Sequence, residues 1–556
     1  MATPEYTLGV WDYVILVGLL LFSAAIGVFH ALRGGKQKDS KEYFLGNRKM
    51  GAFPVSMSII VSVMSAVTYI GTPAEVYRHG PMYWLMSVNK IVGAGLVTTC
   101  FLPVFYNLEI TSVYEYIDMR FNKFVRYGVI LADCSYTFIY MGIVMYTPAL
   151  ALSTVTGITL TGSILAIGLV CTFYTAIGGI KAVIWTDVLQ ALVMFSGLLI
   201  ISIAVCIDIG GASEVWRRAE AGNRTDLLDF NIDPTLRYSF WTVMLGGTVS
   251  IVSSVGVKQS FVQRESVSLG QLIPLLIVDL FHTVPGLPGL LIAGAFSASL
   301  SSVSSLVNAL AAITGQDIVK TIWKDIPEAR YTLVVKLLSA FYGLSAIGVA
   351  FIASKLGDII QAVLSFGGIF SAPILGVFTL GLLCPRANSK GAFVGLLLGV
   401  AVGITLKVGS GYFPPSHAGP PLSVSECDVT TTTNPLLAYS WTSTSNVTSA
   451  HNDVTNTVIP QTEPFPATKI FSVSFLHYNT IDWLVTVLVG LMVSYLTGAT
   501  DPATIDPKLL SPVVLNVFSC CWPSKGGTKL KDTTIDAVKE ERNTDMIIEE
   551  EHIKRV

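Results

Sequence analysis

Apolar residues in this chain gather into long runs nearly free of charge, separated by short polar loops. Read in order, the runs cover 10–32, 54–77, 82–106, 125–152, 155–177, 183–207, 240–257, 286–313, 333–355, 359–383, 391–406 and 481–496. A bilayer crossing needs about 20 such residues. Lipid offers no partner to a free backbone N–H or C=O, so each run is predicted to be helical. The stretch 269–284 is apolar but short, carries Asp279 and His282, and is broken by Pro274. It reads as an interfacial or re-entrant helix.

Lys and Arg in short loops orient the spans, because they accumulate on the cytoplasmic side. Arg33, Lys36, Lys38, Lys41, Arg48 and Lys49 follow the first run, Arg120 and Lys123 the third, and Lys181 the fifth. These loops are expected to be cytoplasmic and the N-terminus external. The segment 208–239 then lies outside, although it holds Arg217, Arg218, Arg224 and Arg237. Its sequon at Asn223 agrees with that side. The Ser/Thr-rich stretch 409–479 has Lys469 as its one Lys or Arg and a second sequon at Asn446, and reads as a long external loop. Residues 1–498 are therefore expected to form one membrane domain, and 499–556 a charged, disordered cytoplasmic tail. Between Arg264 and Lys320, both assigned inside, an even number of crossings is required. One convincing span, 286–313, lies there.

Composition agrees with the pattern. Of 556 residues, 52% are hydrophobic and 13% charged, and the mean hydropathy is +0.63. Soluble domains carry about 25% charged residues. A net charge of −2 without long basic tracts gives no reason to expect nucleic acid. Eight scattered cysteines, with Cys427 alone in its loop, do not make a disulfide framework. No nucleophile triad, paired carboxylates or metal-ligand cluster points to an enzyme or a further cofactor.

Several motifs carry chemistry of another kind. Ser62, Ser65 and Thr68 interrupt the second run. Ala298, Ser301 and Ser302 fall on one face of the span 286–313. Small hydroxylated residues let a helix unwind, and freed carbonyls can replace the water around a hard cation. The same residues also suit close helix packing, and the residues alone leave both readings open. Lys90 sits well inside 82–106, where a buried lysine is costly and marks function by default. It is expected to face an anionic substrate, to snorkel, or to pair with Asp133.

Tyr43–Met50 (YFLGNRKM), Met64–Thr68 (MSAVT), Gly71–Arg78 (GTPAEVYR), Gly178–Asp187 (GGIKAVIWTD) with Gln190, Pro285–Leu290 (PGLPGL) and Ser301–Ser305 (SSVSS) with Asn308 together resemble the sodium/solute symporter family. The branch is that of monocarboxylates, vitamins and iodide, and the monocarboxylate members are most similar. The resemblance implies an all-α inverted repeat of five plus five helices, with substrate and ions near the midplane beside broken helices. It implies a sodium site from the carbonyls of Val61, Met64 and Ala298 with the hydroxyls of Ser301 and Ser302. Ser65 and Thr68 join Lys90 as substrate candidates. Asp187 resembles an aspartate near the cytoplasmic end of the sodium path, and could equally pair with Lys181. The implied activity is sodium-coupled symport of a small organic anion by alternating access, at the plasma membrane. Vitamin carboxylates and iodide are the alternative substrates.

The chain departs from that pattern at one place. After Val262-Gln-Arg264, members of the family continue through a further helix and an external segment, whereas here the sequence passes to Glu265-Ser-Val-Ser. This is the crossing that the charge count requires. It implies a second repeat lacking one helix, as in a truncated isoform, and a non-transporting sensor or inert isoform is the competing reading.

Overall fold

The computed structural model describes residues 10–33, 52–108, 110, 112–156, 158–258, 287–354, 359–412 and 470–517. The motif 43–50, the stretch 269–284, the sequon at Asn446 and the end of the tail lie outside these residues. Within them the chain is helical: α1 (Val10–Arg33), α2 (Ala52–Val63), α3 (Ala66–His79), α4 (Pro81–Leu108), α5 (Val113–Arg120), α6 (Lys123–Thr156), α7 (Leu160–Ile209) and α8 (Ala212–Ala221). There follow α9 (Phe240–Val255), α10 (Leu287–Ile313), α11 (Glu328–Ala353), α12 (Ile359–Leu383), α13 (Ser389–Tyr412), α14 (Leu476–Leu496) and α15 (Pro512–Val517).

Among the described residues the predicted runs fall on these helices, with 54–77 divided between α2 and α3. The runs 155–177 and 183–207 are joined in α7, which bends where Gly179 leaves helical geometry at φ 61°, ψ −162°. Such a backbone is open to glycine and strained for other residues. The bend seats Gly178 against Gly27 of α1, with the Gly27 Cα 3.3 Å from where a Gly178 Cβ would stand.

α10 runs through the centre, and 94% of its membrane-length window is buried. Its sequence from Ala293 to Ser302 is mostly Ala, Gly and Ser, which lets α1, α6 and α7 approach closely. Polar ties cross these contacts. Pro148 removes the N–H that would bond the Val144 carbonyl in α6, and Ser299 Oγ donates to that carbonyl at 3.0 Å. The Tyr174 hydroxyl donates to the Leu300 carbonyl at 2.9 Å.

α12, α13 and α14 form a second packed group. Gly391, Gly395, Gly399 and Gly403 recur every fourth residue of α13, and a methyl on any of them would strike α14 at Ser494, Gly490, Thr486 or Asp482. α5 closes one end of this group. Arg120 donates to the carbonyls of Gly381 (3.0 Å), Cys384 (3.2 Å), Pro385 (3.1 Å) and Ala387 (3.3 Å), satisfying the acceptors that a helix end leaves free.

The packed domain extends past its predicted limit at residue 498. Ile505, Leu509, Leu510 and Val514 are buried, and the Tyr116 hydroxyl donates to the Leu509 carbonyl. The composition of the whole tail hid this short apolar return.

At the opposite end, the segment 210–239 is stitched to α3. Glu75 is buried and accepts from Arg237 Nε at 2.7 Å and from the Tyr238 hydroxyl at 2.6 Å. Arg224 donates to the Tyr77 carbonyl, and Arg217 and Arg218 hold Glu214. The arginines that sat badly with the charge rule are thus engaged locally. Burial, followed by the charge of Glu75, pushes the Tyr238 phenol well above its ordinary range.

Candidate functional site

α2 and α3 are two halves of one broken span, bent by 50°. Between them Met64 and Ser65 leave the helix, with Ser65 extended at φ −76°, ψ 167°. A helix end leaves its last four carbonyls without intrahelical donors. The break therefore frees acceptors in the middle of the span, where lipid could not replace water. Protein surrounds it instead. Val61, Ala66, Tyr69, Ala191, Met194, Ala295 and Ala298 form one buried cluster, with Met64 packed against it.

On the facing helix, Ser301 and Ser302 are buried, and neither hydroxyl has a hydrogen-bond partner. A buried hydroxyl left unpaired costs about 1–3 kcal/mol. Two on one helix, beside a broken helix, make an oxygen-lined position fit for a desolvated cation. Val61, Met64 and Ala298 meet in that one cluster, and Ser301 and Ser302 follow Ala298 by one turn on α10. The chemistry of the set, all neutral oxygens, suits a hard monovalent ion and not a transition metal.

A polar track leads away from the junction. Ser305 Oγ donates to the Ser301 carbonyl at 2.7 Å, and Ser305 Oγ stands 3.2 Å from Ser62 Oγ. Ser62 Oγ donates to the Ser58 carbonyl at 2.7 Å, and Ser58 Oγ donates to Asp187. Asp187 is fully buried on α7. Its partner in this track is Ser58.

Of the substrate candidates, Ser65 is buried at the break and Thr68 is half-buried one turn on. Lys90 is not with them. It lies on an exposed face of α4 beside Ile91, which is 70% exposed, and this part of α4 packs on α9. A long side chain on an outward face reaches an interface without a counter-ion. Nor does Lys90 pair with Asp133, whose partner is Lys258 at 2.9 Å. Asn223 is exposed, in left-handed backbone at φ 53°.

Lys258 escaped the sequence reading because it falls just past the run 240–257. The signal was Asp133: an acid inside an apolar run requires a cation. Both residues are buried, Asp133 also accepts from the Tyr114 hydroxyl at 2.7 Å, and Lys258 Nζ stands 3.9 Å from the Tyr136 ring centroid. A small cavity beside the pair is lined by Thr137, Leu306, Ala309 and Leu310.

Three comparisons bear on this geometry. The profile of the sodium:solute symporter family matches residues 43–266 and 240–399. Sodium-coupled monocarboxylate transporter 2 of Mus musculus is 36% identical over 568 aligned positions, covering 93% of this chain and 88% of that protein. Sodium-coupled monocarboxylate transporter 1 of Homo sapiens is 38% identical, covering 92% and 91%. The human sodium/iodide cotransporter is 35% identical, covering 91% and 86%. A solved structure of a Na+-coupled sialic acid symporter, substrate-bound and outward-open, superposes with a TM-score of 0.67 at 22% identity, covering 89% of this chain and 99% of that one. That last likeness fixes the fold.

Proposed function

Because the chain belongs to the sodium:solute symporter family, we propose that it is a sodium-coupled symporter of small organic anions, monocarboxylates foremost, working by alternating access at the plasma membrane. The observation that carries this reading is the pair of unpartnered, buried hydroxyls of Ser301 and Ser302 beside the break at Met64–Ser65. Sodium binds there through these hydroxyls and the carbonyls of Val61, Met64 and Ala298. On release it follows Ser305, Ser62 and Ser58 to Asp187, each step replacing one oxygen ligand by the next. The substrate sits at Ser65 and Thr68, against the same break, so ion and anion neutralise each other in a low-dielectric site. The 210–239 segment, with its sequon at Asn223, faces outside, and the N-terminus is external.

A second reading concerns this chain alone: it lacks one helix of the second repeat and transports poorly. Two observations favour it. The profile matches as two stretches that overlap over 240–266, beside the place where the charge count is one crossing short. In the alignment with the murine monocarboxylate transporter 2, 93% of this chain is about 517 residues against 568 aligned positions, so about 50 positions face no residue here. That is close to one span and a loop.

One experiment tests both. The chain and a version with a relative's helix inserted after Arg264 are expressed, surface levels are matched, and labelled monocarboxylate uptake is measured in sodium and in choline. Sodium-driven uptake by the restored chain and little by the original is expected. No sodium dependence in either would overturn the symporter reading, and equal uptake by both would overturn the deletion.

A further inference from the structure

Asp482 and Asn479 lie one turn apart on α14, on the face packed between α12 and α13, and both are fully buried. Neither carboxylate oxygen of Asp482 has a hydrogen-bond partner, nor does either polar atom of the Asn479 amide. Among the described residues no ion pair reaches the acid. A carboxylate desolvated in this way costs several kcal/mol if left charged and alone. Its surroundings are therefore incomplete as they stand.

A third group converges on the same place. Pro373 interrupts α12 and removes the N–H that would bond the Ile369 carbonyl. In α6 the equivalent carbonyl, freed by Pro148, is taken by Ser299. No side chain among the described residues takes that of Ile369. Gly403 of α13 marks the meeting point: a methyl there would strike Asp482 Oδ2 and come within 2.9 Å of the Ile369 Cα. One turn earlier, a methyl at Gly399 would lie 3.1 Å from both the Pro373 ring and the Asp482 carbonyl oxygen. The two glycines thus let the Asp482 carboxylate seat against α13 beside the Ile369 backbone, with Asn479 one turn before it on the same helix.

We propose that Asp482, Asn479 and the Ile369 carbonyl form a second site for a single monovalent positive charge, taken up as sodium or as a proton on the carboxyl. It stands apart from the Ser301–Ser302 junction and does not rest on sodium binding there. Oxygen donors alone are what such a charge requires. An ionisable group inside a membrane span is a functional residue by default. Tyr478, on the same helix, is the titratable neighbour that feels Asp482. No charged group faces Asp482 from α12 or α13.

The test uses the full chain, purified into nanodiscs. Equilibrium binding of radiolabelled sodium is measured for the wild type, for Asp482→Asn, and for Ser301→Ala with Ser302→Ala. Infrared spectra across neutral pH follow the carboxylic-acid band. If the charge is sodium, Asp482→Asn loses one ion per chain, and that ion persists in the serine variant. If it is a proton, sodium binding is unchanged by Asp482→Asn, and the wild type has a titrating carboxylic-acid band that the variant lacks. Where Asp482→Asn fails to fold, Asn479→Ala keeps the acid and removes one ligand. It should weaken the sodium occupancy about tenfold or shift the band's midpoint by about one pH unit. Unchanged sodium binding together with no titrating band, in either variant, would overturn the proposal and leave Asp482 a permanently neutral packing residue.

Discussion

Replacing Ser301 or Ser302 by alanine separates two quantities that usually fall together. Each hydroxyl is buried without a partner in the ion-free chain, so its removal deletes no hydrogen bond there. It relieves an unsatisfied group, worth about 1–3 kcal/mol. The ion-bound form loses a charge-assisted contact of about 1.5–3 kcal/mol, a factor of roughly 10 to 150 in affinity. Both estimates depend on the same atom and point in opposite directions. In the helix-restored chain, half-saturating sodium should rise at least about tenfold. The substrate requirement at saturating sodium should change less, and thermal stability without sodium should hold or increase. Uptake at graded sodium and unfolding of the purified protein with and without sodium would measure them. Unchanged sodium dependence in both variants would return the serines to a packing role, and a large loss of sodium-free stability would refute the premise that the hydroxyls are unpaired.

Asp133→Asn or Lys258→Met alone should destabilise the purified chain by about 3–5 kcal/mol, because one buried charge is left without its partner, whereas the double variant should lose much less; equal loss in all three, by thermal unfolding, would argue against a coupled pair. Lys90→Gln should leave monocarboxylate half-saturation in the restored chain within about twofold, since Lys90 lies on an outward face, and a tenfold rise would bring it back to the substrate. The raised phenol of Tyr238 favours the folded latch while protonated: its contribution is full below the ordinary tyrosine value of about 10 and is lost as pH rises towards the elevated one. Proteolysis of the 210–239 segment should therefore accelerate above pH of about 10, and Tyr238→Phe should flatten that profile.

The spans were legible because a bilayer permits little besides apolar helices. The break was legible from Ser62, Ser65 and Thr68 only together with the family resemblance, since the same hydroxyls equally suit close helix packing. Other features need the third dimension. Whether Lys90 faces protein or the outside depends on which side of α4 meets α9, and a uniformly apolar run carries no amphipathic signal to decide it. Lys258 pairs with Asp133 across 125 positions of sequence, which no local pattern encodes. The return of 499–517 rests on a few apolar residues inside a segment whose average composition is that of a tail. Asp482 carries no local signal at the start of the last run, and its lack of partners is visible only once Gly403 and Ile369 are beside it.

The glycines spaced by four along α13 also say how that helix can move. Each is a notch filled by α14, at Ser494, Thr486 or Asp482. A slide of a fraction of a turn would drive α14 against the walls between notches. The smallest slide that restores the fit is one full spacing, about 6 Å at 1.5 Å per residue. The two helices therefore work as a rack with a single coarse tooth. Within any smaller excursion they are locked in register, so displacement at one end arrives undiminished at the other.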